Sequence, residues 1–186
     1  LKKIKMNEKL LSKVVTSGEA AMLAINKKKF GEKFYHLGPS RDNSIFEKVI
    51  QSKTTLEKCD FILCTGLFDD YDQDLNYYKD LLKNFTSKKL ICTNPDLIVH
   101  RGKIEELCAG SIAKIFEEMG GKVVYYGKPH VEIYDMCFQK GENNINADSL
   151  FIYSGVHRKE LNNNEIKLLL EKYNVKANYF QKELKW

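Results

Sequence analysis

Val123-Val124-Tyr125-Tyr126-Gly127-Lys128-Pro129 is the stretch on which the reading of the fold turns. Four β-branched or aromatic residues in succession suit a buried strand. Glycine then breaks the strand, and proline presets φ for the first turn of a helix. The lysine between them would stand at the carboxyl end of the strand, just before a helix expected over 131–138.

The same rhythm runs upstream. Leu90-Ile91-Cys92 reads as a strand ending at Thr93-Asn94-Pro95-Asp96, with a helix over 105–119 closed by Gly120-Gly121. Asp60-Phe61-Ile62-Leu63-Cys64 ends at Thr65-Gly66 and is followed by a helix over 74–85, with Leu75, Tyr78, Leu81 and Leu82 on one face. Phe34-Tyr35-His36-Leu37 stops at Gly38-Pro39, before a short helix over 43–51. Val14-Val15-Thr16 reads as a first strand ending at Ser17-Gly18, before a helix over 19–29. Downstream, a polar run over 139–148 leads to the strand Ser149-Leu150-Phe151-Ile152-Tyr153, which ends at Ser154-Gly155, and then to a helix over 164–173.

Strands alternating with helices of this length predict an α/β fold built on a parallel sheet with right-handed crossovers. Ligands of such sheets bind at the carboxyl ends of the strands. Small and polar residues gather at five of these ends. Each pair taken singly is what a turn prefers anyway, but together they point to an anion-binding edge.

Composition narrows the function classes. The chain has 186 residues, 43% hydrophobic and 30% charged, a balance that can bury a core. Its net charge of +5 is spread among acids, without the basic stripe and interleaved aromatics of a nucleic-acid groove, so no nucleic-acid partner is expected. No apolar run approaches the length of a membrane span, so no membrane partner is expected. Five cysteines without a CxxC pair point to reduced thiols and a cytoplasmic setting. With four dispersed histidines they offer no zinc site and no metal ligands. The acidic run Asp69, Asp70, Asp72, Asp74 lacks the glycine and terminal glutamate of a calcium loop and reads as a helix-capping loop.

Three clusters carry the candidate chemistry. Lys128, flanked by Gly127 and Pro129, can point across the strand ends and neutralise a phosphoryl group; taken alone it reads more readily as a solvated turn lysine. Asn94 and Asp96 can hydrogen-bond a substrate, or simply form an Asx turn. Thr16, Ser17 and Gly18 open a helix whose N–H groups attract anions, although taken alone they read better as an ordinary N-cap.

Taken in order, Thr-Ser-Gly-Glu-Ala-Ala, Leu-Cys-Thr-Gly-Leu, Thr-Asn-Pro-Asp, Tyr-Gly-Lys-Pro and Phe-Ile-Tyr-Ser-Gly-Val resemble the haloacid dehalogenase (HAD) superfamily, class IIA, the branch of nucleotide- and pyridoxal-phosphate-type phosphatases. The likeness runs from about Leu10 to Glu160. It implies a Rossmann-like core with a parallel sheet and an inserted α/β cap: residues 1–13 as partial core or linker, 14–88 as cap and 89–186 as an incomplete core. It implies Lys128 as the catalytic-support lysine, with Asn94, Asp96, Gly127, Pro129, Thr16, Ser17 and Gly18 around the phosphate. It further implies a small phosphorylated metabolite as substrate and a Mg-dependent attack by an Asp nucleophile. The oligomeric state is open, a homodimer included.

Two departures shape the expectation. The family's Asp-x-Asp strand would lie before Leu1, and the chain opens on that leucine rather than on methionine, so it reads as starting inside a longer protein. The acidic segment that completes the magnesium site has no counterpart between the 131–138 helix and Ser149; Asp135, Glu142 and Asp148 do not match it by context. The intact protein is therefore expected to be a phosphatase, and this stretch alone to be inactive. The alternative is a non-catalytic remnant or phosphate-ester-binding module.

Overall fold

The apolar runs do pair as one parallel sheet. A computed structural model of the chain describes residues 14–71, 73–128 and 130–140. Along them run α1 (Ser17–Asn26), β1 (Phe34–Leu37), a 3₁₀ segment (Ser40–Ser52), β2 (Phe61–Cys64), a 3₁₀ turn (Asp69–Tyr71), α2 (Leu75–Leu82) and β3 (Lys89–Cys92). They continue with β4 (Ile98–Arg101), β5 (Ile104–Leu107), α3 (Ala109–Glu118), β6 (Lys122–Tyr125) and α4 (Val131–Lys140). The main sheet has the order β1-β2-β3-β6, every pair parallel. All four carboxyl ends therefore lie along one edge.

Side chains of a strand alternate between its two faces, and a sheet covered on both faces needs apolar residues at every position. β2 meets this condition throughout, since all four of its residues are buried. Phe61 and Leu63 pack with Ala20, Ala21 and Ile25 of α1, Phe46 of the 3₁₀ segment and Ile133 and Met136 of α4. Ile62 and Cys64 face the other way, onto Tyr78 and Leu82 of α2 and Ile112 and Phe116 of α3. The result is three layers, helices on both sides of a parallel sheet. None of the described helices is long and apolar enough to cross a membrane.

Several expectations change. Val14-Val15-Thr16 is not a strand: Thr16 is the N-cap of α1, its side-chain oxygen accepting the Glu19 N–H at 3.1 Å. The short helix over 43–51 is a longer 3₁₀ segment, with non-helical backbone at Phe46 and Val49. The helix over 105–119 starts only at Ala109, because Ile98–Arg101 and Ile104–Leu107 pair antiparallel as a hairpin turning at Gly102 and Lys103. The boundary placed between 88 and 89 falls inside the sheet, where β2 and β3 are hydrogen-bonded neighbours. The segments 14–88 and 89–186 thus do not separate into two sheets within the described residues. The strand at Ser149 and the helix over 164–173 lie outside them.

Candidate functional site

Three of the motifs singled out in the sequence meet at Gly127. Its φ of +133 is a conformation that residues with a side chain rarely adopt. A methyl group there would stand 2.6 Å from Pro95 Cδ and 3.2 Å from Ser17 Cβ. The α1 N-terminus, the Thr93-Asn94-Pro95-Asp96 loop and the Gly127-Lys128 turn therefore touch one another at the carboxyl edge. Lys128 is exposed at the end of β6, beside β3. Pro129 lies outside the described residues.

The roles within this junction are partly structural. Thr16 spends its side-chain oxygen on the α1 cap. Gly18 sits inside the first turn of α1, next to Ile45. Asn94 Oδ1 accepts the Asp96 N–H at 3.2 Å, the Asx turn foreseen as the plainer reading. The Asp96 carbonyl accepts the Gly110 N–H at 3.1 Å, and the Leu97 carbonyl accepts the Ser111 hydroxyl at 2.6 Å. The loop after β3 is thus pinned to the first turn of α3, which holds the edge rigid.

Along the same edge opens a cleft of about 630 Å³ that reaches Asn94, Thr65 and Gly66. The 3₁₀ segment contributes Arg41 and Asp42, the loop after β2 contributes Phe68 and Asp69, and the hairpin contributes Arg101 and Glu106. Arg41 is ion-paired with Asp69. Arg101 pairs with Glu106 at 3.1 Å. The chain has only three arginines, Arg41, Arg101 and Arg158, against 27 lysines. Two of the three line this cleft, and no lysine does among the described residues. Neither arginine stands out among the sequence motifs. The scarcity of arginine was the available signal, because a planar fork in a lysine-rich chain marks a place where geometry matters.

Half-buried Thr65, which lines the cleft, pairs with the buried His36 behind it. His36 Nε2 and Thr65 Oγ1 are 2.9 Å apart. Burial, with Lys53 as a lesser cause, pushes the imidazole down to about 4, so His36 is neutral near pH 7. Gly38, at φ +155, leaves the space the pair needs, since a methyl group there would meet Thr65 Oγ1 and stand 2.9 Å from His36 Nε2. The nearby thiols are held protonated: burial raises Cys64 well above its usual range and Cys92 to about 12.

No family sequence model and no curated protein matches the chain. Solved structures do. It is similar to a hydrolase of the haloacid dehalogenase-like family from Brucella suis 1330, with 31% sequence identity and a TM-score of 0.60 over 68% of this chain and 48% of that one. Its structural neighbours are hydrolases of the haloacid dehalogenase type, and the chain has their fold. A 4-nitrophenylphosphatase from Thermotoga maritima is 28% identical, with a TM-score of 0.51 over 68% of this chain and 48% of that one. A p-nitrophenyl phosphatase from Archaeoglobus fulgidus shares the fold at 14% identity, with a TM-score of 0.51 over 91% of this chain and 70% of that one. These haloacid dehalogenase neighbours are of the class IIA type. The chain spans about half the length of the first solved structures it matches.

The described residues do not fit the magnesium ion that this superfamily implies. No group of three or more His, Cys, Asp or Glu among them could hold a metal, and two of the cleft's carboxylates are already engaged by arginines.

Proposed function

We propose that this chain is the substrate-recognising portion of a haloacid dehalogenase-type phosphohydrolase that acts on a small phosphorylated metabolite. The meeting of Ser17, Pro95 and Gly127 at the carboxyl edge carries the reading. It gathers three separate phosphate-type motifs where a parallel sheet binds ligands. Lys128, one residue on, would neutralise the phosphoryl group, while the α1 N-terminus adds its partial positive charge. The cleft beside it would take the rest of the substrate.

A lysine alone cannot open the covalent route, which needs an acidic nucleophile. The 186-residue stretch is therefore expected to bind a phosphate ester without hydrolysing it. The test is to titrate the purified chain with a non-aromatic phosphate ester and, separately, to follow release of p-nitrophenol from p-nitrophenyl phosphate with and without MgCl2. Binding is expected, weakened roughly ten-fold in Lys128→Ala, with no release of p-nitrophenol. Unchanged affinity in Lys128→Ala would remove the lysine from the site. Turnover by this stretch would sink the claim that it lacks the nucleophile, and with it the non-catalytic alternative.

A further inference from the structure

We infer that the Arg41–Arg101 cleft selects a zwitterionic, amino-acid-like group on the substrate, carrying both a carboxylate and an ammonium. The inference rests on the phosphohydrolase reading above and names the substrate class for the same edge.

The charges decide it. Arg41 and Arg101 line the cleft with Asp42, Asp69 and Glu106, two cations against three carboxylates. Asp69 and Glu106 each hold one arginine. Asp42 has no ion pair among the described residues. A ligand bringing only an anion would deepen the cleft's negative balance. A ligand bringing only a cation would satisfy Asp42 and leave the arginine forks unused. A zwitterion meets both and leaves the balance unchanged.

The arginines are suited to such an exchange. Each guanidinium has five N–H donors, more than one carboxylate can accept. Their side chains are 69% and 79% exposed, so the ion pairs orient them at little energetic depth. A ligand carboxylate can therefore join or replace Asp69 or Glu106 at small cost. The volume of about 630 Å³ suits a small metabolite. Phe68, Val99 and Leu107 supply apolar wall for the carbon skeleton between its charged groups.

The experiment measures affinity of the 186-residue chain for four phosphate esters: O-phosphoserine with both groups, 3-phosphoglycerate with the carboxylate only, phosphoethanolamine with the ammonium only, and glycerol 3-phosphate with neither. O-phosphoserine should bind about ten-fold tighter than each of the others, as charge-assisted hydrogen bonds at an open site allow. Arg101→Met should weaken O-phosphoserine and 3-phosphoglycerate and spare phosphoethanolamine. Asp42→Asn should weaken O-phosphoserine and phosphoethanolamine and spare 3-phosphoglycerate. Equal affinity for glycerol 3-phosphate and O-phosphoserine would overturn the proposal, as would a preference for 3-phosphoglycerate. Titration with unphosphorylated L-serine, read from the amide signals of 98–107, separates the two readings. A response to serine without any ester binding supports the cleft and defeats the phosphate site. No response to serine, with esters bound alike, defeats the cleft alone.

Discussion

His36 is a buried imidazole whose only described side-chain hydrogen bond runs to Thr65. Its value of about 4 in the folded chain lies below the ordinary value of 6.5. Between those limits the unfolded chain binds a proton that the folded chain refuses, so stability falls as pH drops from about 6.5 to about 4 and is unaffected above that window. The loss is on the order of 2 kcal/mol after allowance for solvent screening. Asp60 adds to it under acid, because the N–H groups of Lys33 and Glu32 hold its carboxyl below the usual range. Urea unfolding at several pH values should therefore give a steeper acid loss for the wild type than for His36→Gln. Parallel pH curves for the two proteins would count against a neutral buried imidazole. At Gly127 the expectation is steric: Gly127→Ala should cost about 2 kcal/mol or more, since the new methyl meets both a positive φ and Pro95. A loss below about half a kcal/mol in urea unfolding, the size of an ordinary surface change, would mean that the junction is slack.

The hairpin is the element in which sequence and structure part most clearly. Gly102 marks the turn, but Ile98-Val99-His100-Arg101 and Ile104-Glu105-Glu106-Leu107 do not alternate strictly between apolar and polar, so the hairpin patterning in the sequence is weak. The glutamates and leucine at its end were absorbed into the following helix because Glu and Leu are good helix formers. Antiparallel pairing overrode that preference. By contrast β2 and β3 were legible at once, since a strand buried on both faces must be apolar throughout. The site divides the same way. Gly127 and the Thr93-Asn94-Pro95-Asp96 loop announce themselves because turn residues carry local backbone constraints. Arg41 and Asp69 are 28 residues apart, and only tertiary structure makes them partners. A prediction follows for α3, whose buried Phe116 packs into the layer that also holds Tyr78 and Leu82 of α2. Phe116→Ala should destabilise the fold by about 3–5 kcal/mol. Replacing 98–107 by a short glycine-serine linker should leave the far-ultraviolet spectrum of the sheet and helices largely intact and abolish ligand discrimination. Unfolding of that variant would show that the hairpin is part of the core.

Across the whole molecule, stability should be graded from the centre of the sheet outward. β2 and β3 are its inner strands, each with neighbours on both sides. Apart from Lys89 at the start of β3, every residue in them is buried. Their amides can exchange only when both helical layers open, which is close to global unfolding. The hairpin is the opposite case: among the described residues its strands pair only with each other, and Val99 and Ile104 are exposed. It is anchored at its base by the Cys108 N–H to the Leu97 carbonyl at 2.8 Å and by Ser111. Native-state hydrogen exchange should therefore place β2 and β3 at the slow extreme and 98–107 among the fast amides. A bound amino-acid phosphate that spans cleft and junction should slow the hairpin, the loop after β2 and the turn at Gly127 together, because Asn94 of the cleft adjoins Pro95, which meets Gly127. It should leave the exchange of α2 unchanged beyond the gain in global stability that any ligand of the native state confers. Protection of the hairpin alone would mean that cleft and phosphate junction are separate sites, and the edge would then not bind one substrate across its length.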